Sequence, residues 1–212
     1  MTPPRPSRVW DAMLRGNERF ITGEPEHPRQ DVERRETLAA SQSPLAAIFG
    51  CSDSRLAAEI IFDLGLGDAF VVRNAGQVMS ESVLGSLEYA VEVLHVPLIL
   101  VLGHDECGAV RAAIESQAPD AHPLPPHIAN LIAPIVPAVR RVTHASPEHP
   151  IEIADVDASE VGREHLRDTV AEVLRSSELI SSAVAEGRLA IVGANYRLQE
   201  GRAVPDIVVG LV

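Results

Sequence analysis

Short apolar runs alternate with amphipathic segments along most of this chain. Four of the runs lack polar alternation, which is typical of strands buried on both faces. They are Leu45 to Gly50, Ala69 to Val72, Pro97 to Gly103, and Leu189 to Gly193. Apolar residues recur between these runs at helical spacing, which predicts helices at Ala57 to Leu64, Glu81 to Leu94 and Cys107 to Ser116. Together they predict a parallel sheet covered by helices on both faces.

Further helices are predicted at Val32 to Ser41, His127 to Val142 and Ala158 to Ala185, and an edge strand at Ala203 to Val209. The expected fold is therefore α/β, with a mainly parallel four-stranded sheet and a C-terminal edge strand. A length of 212 residues fits one domain spanning residues 1–212.

An amphipathic helix is also predicted near the N-terminus, from Ser7 to Thr22. The apolar residues that recur on it at helical spacing are Trp10, Met13, Leu14, Phe20 and Ile21. A charged segment with prolines, Gly23 to Arg29, separates this helix from the rest of the pattern. The surface that covers its apolar stripe could therefore belong to this chain or to a partner subunit.

Charge and composition narrow the function classes. The chain has 18 Lys and Arg against 30 Asp and Glu, a net charge of −12, so nucleic acid is not an expected partner. The longest apolar stretch, Leu131 to Val139, is far shorter than the roughly 18 residues of a membrane span. No apolar segment typical of a signal peptide follows the first residues, so a cytoplasmic location is expected.

The candidate chemistry begins with the two cysteines, Cys51 and Cys107. Cys51 and His104 each follow a glycine at the end of a predicted buried strand, and Cys107 lies three residues after His104. In a parallel sheet, the carboxyl ends of the strands all lie at one end of the sheet, and α/β folds bind ligands there. Two thiolates and an imidazole favour zinc, and three protein ligands with one position for water is the catalytic arrangement.

Asp53 and Arg55 follow Cys51 closely and bring a carboxylate and a guanidinium near this site. Asp53 could be the fourth ligand, or it could accept a hydrogen bond from a zinc-bound hydroxide. A bidentate pair with Arg55 would hold the carboxylate off the metal. The sequence permits that pair without deciding between the two roles.

Four blocks of sequence in this order resemble the β-class carbonic anhydrases of bacterial type. The blocks are Cys51-Ser-Asp-Ser-Arg55, Phe70-Val-Val-Arg-Asn74, Ser86-Leu-Glu-Tyr-Ala-Val91 and Gly103-His-Asp-Glu-Cys-Gly-Ala109, within a match from Trp10 to Gly201. The resemblance implies one Zn²⁺ per subunit, held by Cys51, His104 and Cys107, with Asp53 and Arg55 as the catalytic dyad. It also implies reversible hydration of carbon dioxide to bicarbonate and a proton through attack by zinc-bound hydroxide.

The resemblance further implies a substrate site and an assembly. The positions that match substrate-binding residues of the family are Gln42, Phe70, Ala75, Tyr89 and Gly108. The expected assembly is a homodimer or homotetramer, with residues 1–30 forming a helical arm that packs on the partner subunit. Some bacterial members hold an inhibitory bicarbonate with Trp, Arg and Tyr.

In this chain Arg73 and Tyr196 match two of those three residues, and Ile48 replaces the tryptophan. We therefore expect that second bicarbonate site to be incomplete. Two other functions stay open beside carbonic anhydrase activity. The same scaffold could hydrolyse carbon disulfide or carbonyl sulfide, or it could be a non-enzymatic regulator that binds zinc or bicarbonate.

Overall fold

A computed structural model describes residues 4–144, 151 and 153–212, and in that part of the chain five strands form one sheet. The strands are β1 (Ala46–Cys51), β2 (Ala69–Asn74), β3 (Leu98–His104), β4 (Ala190–Arg197) and β5 (Arg202–Val209). Their order is β2-β1-β3-β4-β5, with β1 to β4 parallel and β5 antiparallel to β4. The α/β class and the edge strand are confirmed, and the sheet has five strands because the edge strand pairs along its whole length.

Helices cover both faces of this sheet. They are α1 (Pro6–Thr22), α2 (Val32–Leu38), α3 (Ala58–Ile61), α4 (Glu81–Glu92), α5 (Gly108–Glu115), α6 (Pro126–Ile132), α7 (Val136–Val142), α8 (Ala158–Ser176) and α9 (Glu178–Ala185). Single turns of 3₁₀ helix lie at Ala133–Ile135 and Ile153–Asp155. The helices predicted in the first half of the chain are present, with ends that differ by a few residues.

Two predicted long helices are each divided in the structure. The segment from His127 to Val142 changes from α6 through a 3₁₀ turn to α7, where Pro134 and Pro137 lack the N–H groups of a continuous helix. The segment from Ala158 to Ala185 is interrupted at Ser177, whose backbone is extended (φ −131°, ψ 107°). The Ser177 hydroxyl accepts a bond from the Ile180 N–H at 3.1 Å and so begins a new helix.

The core has two halves, one on each face of the sheet. Side chains of β1, β3 and β4 alternate between them: Ile48 and Leu100 lie on one side, and Phe49 and Val101 on the other. Helices α1, α5 and α7 contribute to the first half, and α4, α9 and most of the buried face of α8 contribute to the second. Because β1 and β3 are buried along their whole length, the packing around them holds their carboxyl ends in fixed positions.

The apolar stripe of α1 is covered only in part by this same chain, since Leu14, Phe20 and Ile21 are half-buried. Val9, Trp10 and Met13 are buried in the first half of the core. A Cβ on Gly16 would lie 2.0 Å from the Phe62 carbonyl oxygen, so glycine permits the close approach of α1 to α3. Packing of residues 1–30 on a partner stays a prediction, and residues 1–3 lie outside the described part of the chain.

The strand order reverses between β1 and β3. From β1 the chain continues to β2 on one side and then crosses to β3 on the other. Such a reversal opens a crevice at the carboxyl ends of the two strands. Of the helices that the structure describes, none has the length and apolar character needed to cross a bilayer.

Candidate metal centre

Cys51, His104 and Cys107 meet at the crevice between β1 and β3. Cys51 ends β1, His104 ends β3, and Cys107 directly precedes α5. One candidate ligand atom from each residue lies within 4.8 Å of the other two, and all three residues are buried. Among the described residues this is the one group of three His, Cys or acidic side chains close enough to share a metal ion. Cys51 and His104 are far apart in the sequence, but they form one compact site because β1 and β3 are neighbours in the sheet.

The imidazole of His104 is oriented for metal binding. Its Nδ1 lies 2.7 Å from the Asp105 carbonyl oxygen, which can only accept, so Nδ1 carries the proton. Nε2 is buried and has no hydrogen-bond partner among the described residues. A histidine ligand is typically held in this way, with one nitrogen bonded to a carbonyl and the other lone pair free for the metal. The residues present therefore fit a metal ion.

The two thiols are close enough for each to change the pKa of the other. A hydrogen bond from the Cys107 thiol lowers the pKa of Cys51 to about 4. The adjacent Cys51 sulfur and burial raise the pKa of Cys107 above its usual value. The Gly76 N–H also donates to the Cys51 Sγ at 3.2 Å. This environment provides one thiolate already, and a cation between the sulfurs would favour deprotonation of the second.

Arg55 holds the Asp53 carboxylate on both oxygens. Arg55 Nε donates to Asp53 Oδ1 at 2.9 Å, and Nη2 donates to Oδ2 at 2.7 Å. The Arg55 backbone N–H donates to Oδ1 as well, at 2.9 Å. The guanidinium keeps the pKa of Asp53 well below its usual range. The carboxylate is thus a fixed anion, bound to Arg55, beside the three candidate ligands.

Arg73 has a role that sequence reasoning missed. Its Nε donates to the Cys51 carbonyl oxygen at 2.9 Å, and its Nη2 donates to the Asp53 carbonyl oxygen at 2.7 Å. Arg73 therefore fixes the backbone between the first cysteine and the carboxylate. The signal for this role is the register of β1 and β2, which places Arg73 opposite Gly50.

The other two residues compared with the second bicarbonate site are in the core. Ile48 is fully buried in the first half of the core and offers no polar group. Tyr196 is buried as well, and burial raises its pKa. That the second bicarbonate site is incomplete stays a prediction.

The predicted substrate residues fall into two groups. Ala75 and Gly108 are chain neighbours of groups at the centre, because Gly76 bonds to Cys51 and Gly108 follows Cys107. Phe70 and Tyr89 contact each other, with ring centroids 6.1 Å apart. The register pairs Phe70 with Ala47, four residues along the strands from the Cys51 level, or about 13 Å away.

Gln42 lies beyond the amino end of β1, whereas the candidate metal centre is at the carboxyl end of the same strand. It is exposed, and it precedes β1, whose first residue is Ala46 and whose last is Cys51. These ends are five residue steps apart, which corresponds to about 16 Å. Within one chain, Gln42, Phe70 and Tyr89 are therefore not brought to the centre.

The fold and the three candidate ligands define an α/β protein with a candidate metal site at the switch point of an open sheet. The sequence model of the carbonic anhydrase family matches residues 46–203, so this chain belongs to that family, in its β class. The resemblance seen in the sequence is confirmed.

Two curated relatives match nearly the whole chain. Carbonic anhydrase 2 of Mycobacterium tuberculosis is 48% identical over 204 residues, 96% of this chain and 94% of the relative. The carbonic anhydrase of Mycolicibacterium smegmatis is 45% identical over 206 residues, 95% of this chain and 94% of the relative.

Solved structures share the fold. The β-carbonic anhydrase of Coccomyxa, in complex with acetazolamide, has a TM-score of 0.65 and 26% identity, covering 94% of this chain and 82% of its own. A chain from the work on two tetrameric β-carbonic anhydrases of Sordaria macrospora has a TM-score of 0.70 and 22% identity, covering 96% of this chain and 100% of its own.

Proposed function

We propose that this protein is a zinc-dependent carbonic anhydrase, which converts carbon dioxide and water reversibly to bicarbonate and a proton. The observation that carries the proposal is the group of Cys51, His104 and Cys107, whose candidate ligand atoms lie within 4.8 Å of one another, together with a buried His104 Nε2 that is unbonded among the described residues. When bound, zinc supplies Lewis acidity and a water that is nucleophilic at neutral pH. The family membership favours this activity over the hydrolase and regulator alternatives.

The roles of Asp53 and Arg55 follow from their contacts. Each Asp53 oxygen already accepts a bond from Arg55, so rotation of the carboxylate toward the metal would break a charged, bidentate pair. We assign Arg55 the role of keeping Asp53 out of the ligand set. The remaining lone pairs of Asp53 are then available to accept a hydrogen bond from a water molecule and orient it toward carbon dioxide.

The substrate pocket is proposed to form between two copies of the chain. Ala75 and Gly108 would contribute from the copy that holds the metal, and Gln42, Phe70 and Tyr89 from the second copy. This division is supported by the distance of the last three from their own centre and by the exposure of Tyr89, 45%. The assembly is accordingly a homodimer or a homotetramer built from such dimers.

We also propose a cytoplasmic location. Both cysteines are free and buried, and as zinc ligands they need to remain reduced. A reducing compartment favours this state. Fractionation of the native cells, followed by detection of the protein in the cytosol, would test this location.

The function is tested by metal content and stopped-flow hydration of carbon dioxide on the purified protein. We expect one zinc per chain and hydration far above the buffer rate. His104→Ala and Cys107→Ser should lose the zinc and the activity, because each removes one of only three protein ligands. His122→Ala, which alters an exposed histidine outside the centre, should keep its zinc.

The same preparation separates the alternatives. Turnover of carbon disulfide or carbonyl sulfide without turnover of carbon dioxide would favour the hydrolase. A zinc-loaded protein that hydrates carbon dioxide no faster than buffer would favour the regulator.

A further inference from the structure

The turn that follows β2 makes a direct hydrogen bond to a candidate metal ligand. The Gly76 N–H donates to the Cys51 Sγ at 3.2 Å. Gly76 (φ +82°) and Gln77 (φ +41°) both have left-handed backbone conformations. A Cβ on Gly76 would lie 2.8 Å from the Ala109 Cβ, so the position needs glycine for space as well as for conformation. The left-handed conformation is unfavourable for Gln77, which is not a glycine, so contacts around the turn have to offset its cost.

Part of the support comes from Asn74. Its Nδ2 donates to the Val78 carbonyl oxygen at 2.7 Å, and its Oδ1 accepts from the Val78 N–H at 2.8 Å. These bonds close the turn from its two ends. The Gln77 N–H also donates to the Asn74 carbonyl oxygen at 3.4 Å, but Asn74 makes no bond to the Gly76 carbonyl.

The middle of the turn is held from α8 by His165. Its Nε2 lies 2.8 Å from the Gly76 carbonyl oxygen, and the residue is only 2% exposed. Because a carbonyl oxygen only accepts, the proton is on Nε2 and the imidazole is the Nε2–H tautomer. Thr169, one helical turn later, lies with its Oγ1 2.9 Å from the His165 carbonyl oxygen and 3.5 Å from that of Gln77.

The remaining nitrogen of His165 has no protein partner. Nδ1 is buried and unbonded among the described residues, and His165 lines a cavity of about 440 Å³ between α7 and α8. A buried polar atom without a partner is costly. A space-filling apolar residue would avoid that cost, so an imidazole at this position points to a use for its single donated hydrogen bond.

We propose that His165 is a positioning residue for the metal centre: by fixing the Gly76 carbonyl, it directs the Gly76 N–H at the Cys51 sulfur. The Gly76 N–H and the Gly76 carbonyl lie in adjacent peptide planes joined by the two rotatable bonds of the residue with the greatest backbone freedom. Anchoring the carbonyl removes part of that freedom and so limits the directions open to the N–H. An N–H bond to a ligand sulfur withdraws electron density from it and tunes the metal, as outer hydrogen bonds do at other sites. This inference rests on the proposed function, because it requires that Cys51 bind the metal.

The test compares two variants of the full-length protein. His165→Leu keeps much of the side-chain volume and removes the donor, and His165→Gln keeps an amide N–H at a similar reach. Val173→Ala is the matched control, because Val173 is also fully buried on α8 and its side chain has no polar atom. Three properties are measured: hydrogen exchange of the Gly76 amide, the sulfur-to-metal charge-transfer band of the cobalt-substituted protein, and zinc affinity by chelator competition.

We expect His165→Leu to accelerate Gly76 exchange at least tenfold relative to wild type, to shift the charge-transfer band to lower energy, and to weaken zinc binding about 10- to 100-fold. His165→Gln should restore the band and most of the affinity, and Val173→Ala should leave both unchanged. The proposal is overturned if His165→Leu leaves Gly76 exchange and the band at their wild-type values. It is equally overturned if folded His165→Gln behaves like His165→Leu.

A measurement on the unaltered protein covers the case in which His165→Leu does not fold. The ¹⁵N shifts of His165 should report the Nε2–H tautomer, and the cadmium-substituted protein should show coupling between ¹¹³Cd and the Gly76 amide proton. An Nδ1–H tautomer, or no such coupling, would refute the inference. If the wild-type protein binds no zinc and hydrates no carbon dioxide, the proposed function itself fails, which is a different result from an active enzyme insensitive to His165.

Discussion

At the scale of single residues, the Asp53–Arg55 pair decides which atoms reach the metal. We expect Arg55→Ala to lower kcat/KM by about 10²-fold, because the freed carboxylate can rotate and occupy the position that water needs. X-ray absorption at the zinc edge should then show an added carboxylate oxygen. Arg111→Ala is the matched control, since Arg111 pairs with Glu106 at an exposed site where ion pairs contribute little. An unchanged ligand set in Arg55→Ala would contradict this role.

His165 provides a second prediction at this scale, for stability against pH. Burial lowers its pKa below the ordinary 6.5, so it is neutral in the folded protein, while the unfolded chain binds its proton below about pH 6.5. The contribution of neutral His165 to the free energy of unfolding is fully present above pH 6.5. It decreases as the pH falls from 6.5 toward the lower pKa that His165 has in the folded protein. His165→Gln should therefore lose less free energy of unfolding between pH 7 and 5.5 than wild type, measured by urea unfolding of the metal-free proteins. Equal losses would show that the pKa of His165 is not lowered.

Local spacing was enough to predict that Cys51, His104 and Cys107 meet, because they lie at strand ends or close along the chain. It permitted the Asp53–Arg55 pair without deciding it, and the structure shows the pair formed. Spacing could not reveal Arg73 or His165. Arg73 acts across the register of two strands, and His165 contacts a turn 89 residues away in sequence. Such contacts depend on tertiary packing, which periodicity does not encode.

At the scale of elements, Asn17 joins α1 to the rest of the chain. Its Nδ2 donates to the Ile61 and Gly201 carbonyl oxygens, and its Oδ1 accepts from the Ala203 N–H. Asn17→Ala leaves these buried backbone groups without their partner, so we expect a loss of about 2–3 kcal/mol in the free energy of unfolding. Urea unfolding measures this loss, with Asp11→Asn on the exposed face of α1 as the control. A loss no larger than that of the control would mean that α1 is not held in this way.

Element positions were predicted better than element ends. The four parallel strands are conspicuous as apolar runs, and all were placed within a few residues. The prediction that all four are buried on both faces was wrong for β2, which lies at the edge of the sheet and is only half-buried. The break at Ser177 was missed because the apolar pattern continues on both sides of it. Helix α8 ends at Ser176, and the next residue, Ser177, makes polar contacts on both sides. Its hydroxyl donates to Glu88 Oε1 of α4 at 2.6 Å and also caps α9.

At the scale of the whole molecule, the edge of the sheet at β2 is incompletely covered. Five of the six β2 residues are only half-buried and the sixth is exposed, whereas β1 and β3 are buried throughout. The Phe70–Tyr89 aromatic pair lies at this edge. A parallel sheet normally has both faces covered, so an edge with aromatic side chains is suited to contact with a second copy.

The last prediction tests that contact through Tyr89. Tyr89→Glu should reduce the mass measured by sedimentation toward that of a single chain, because a carboxylate would be buried without a partner in the interface. Carbon dioxide hydration should fall with it, since the proposed pocket takes Phe70 and Tyr89 from the second copy. Val208→Glu is the control: it introduces a glutamate on β5, the edge strand on the other side of the sheet. Val208 is as exposed as Tyr89 (45%), and this variant should alter neither the mass nor the hydration rate. If Tyr89→Glu retains the wild-type mass, this edge is not the interface, and the pocket residues have to be sought within one chain.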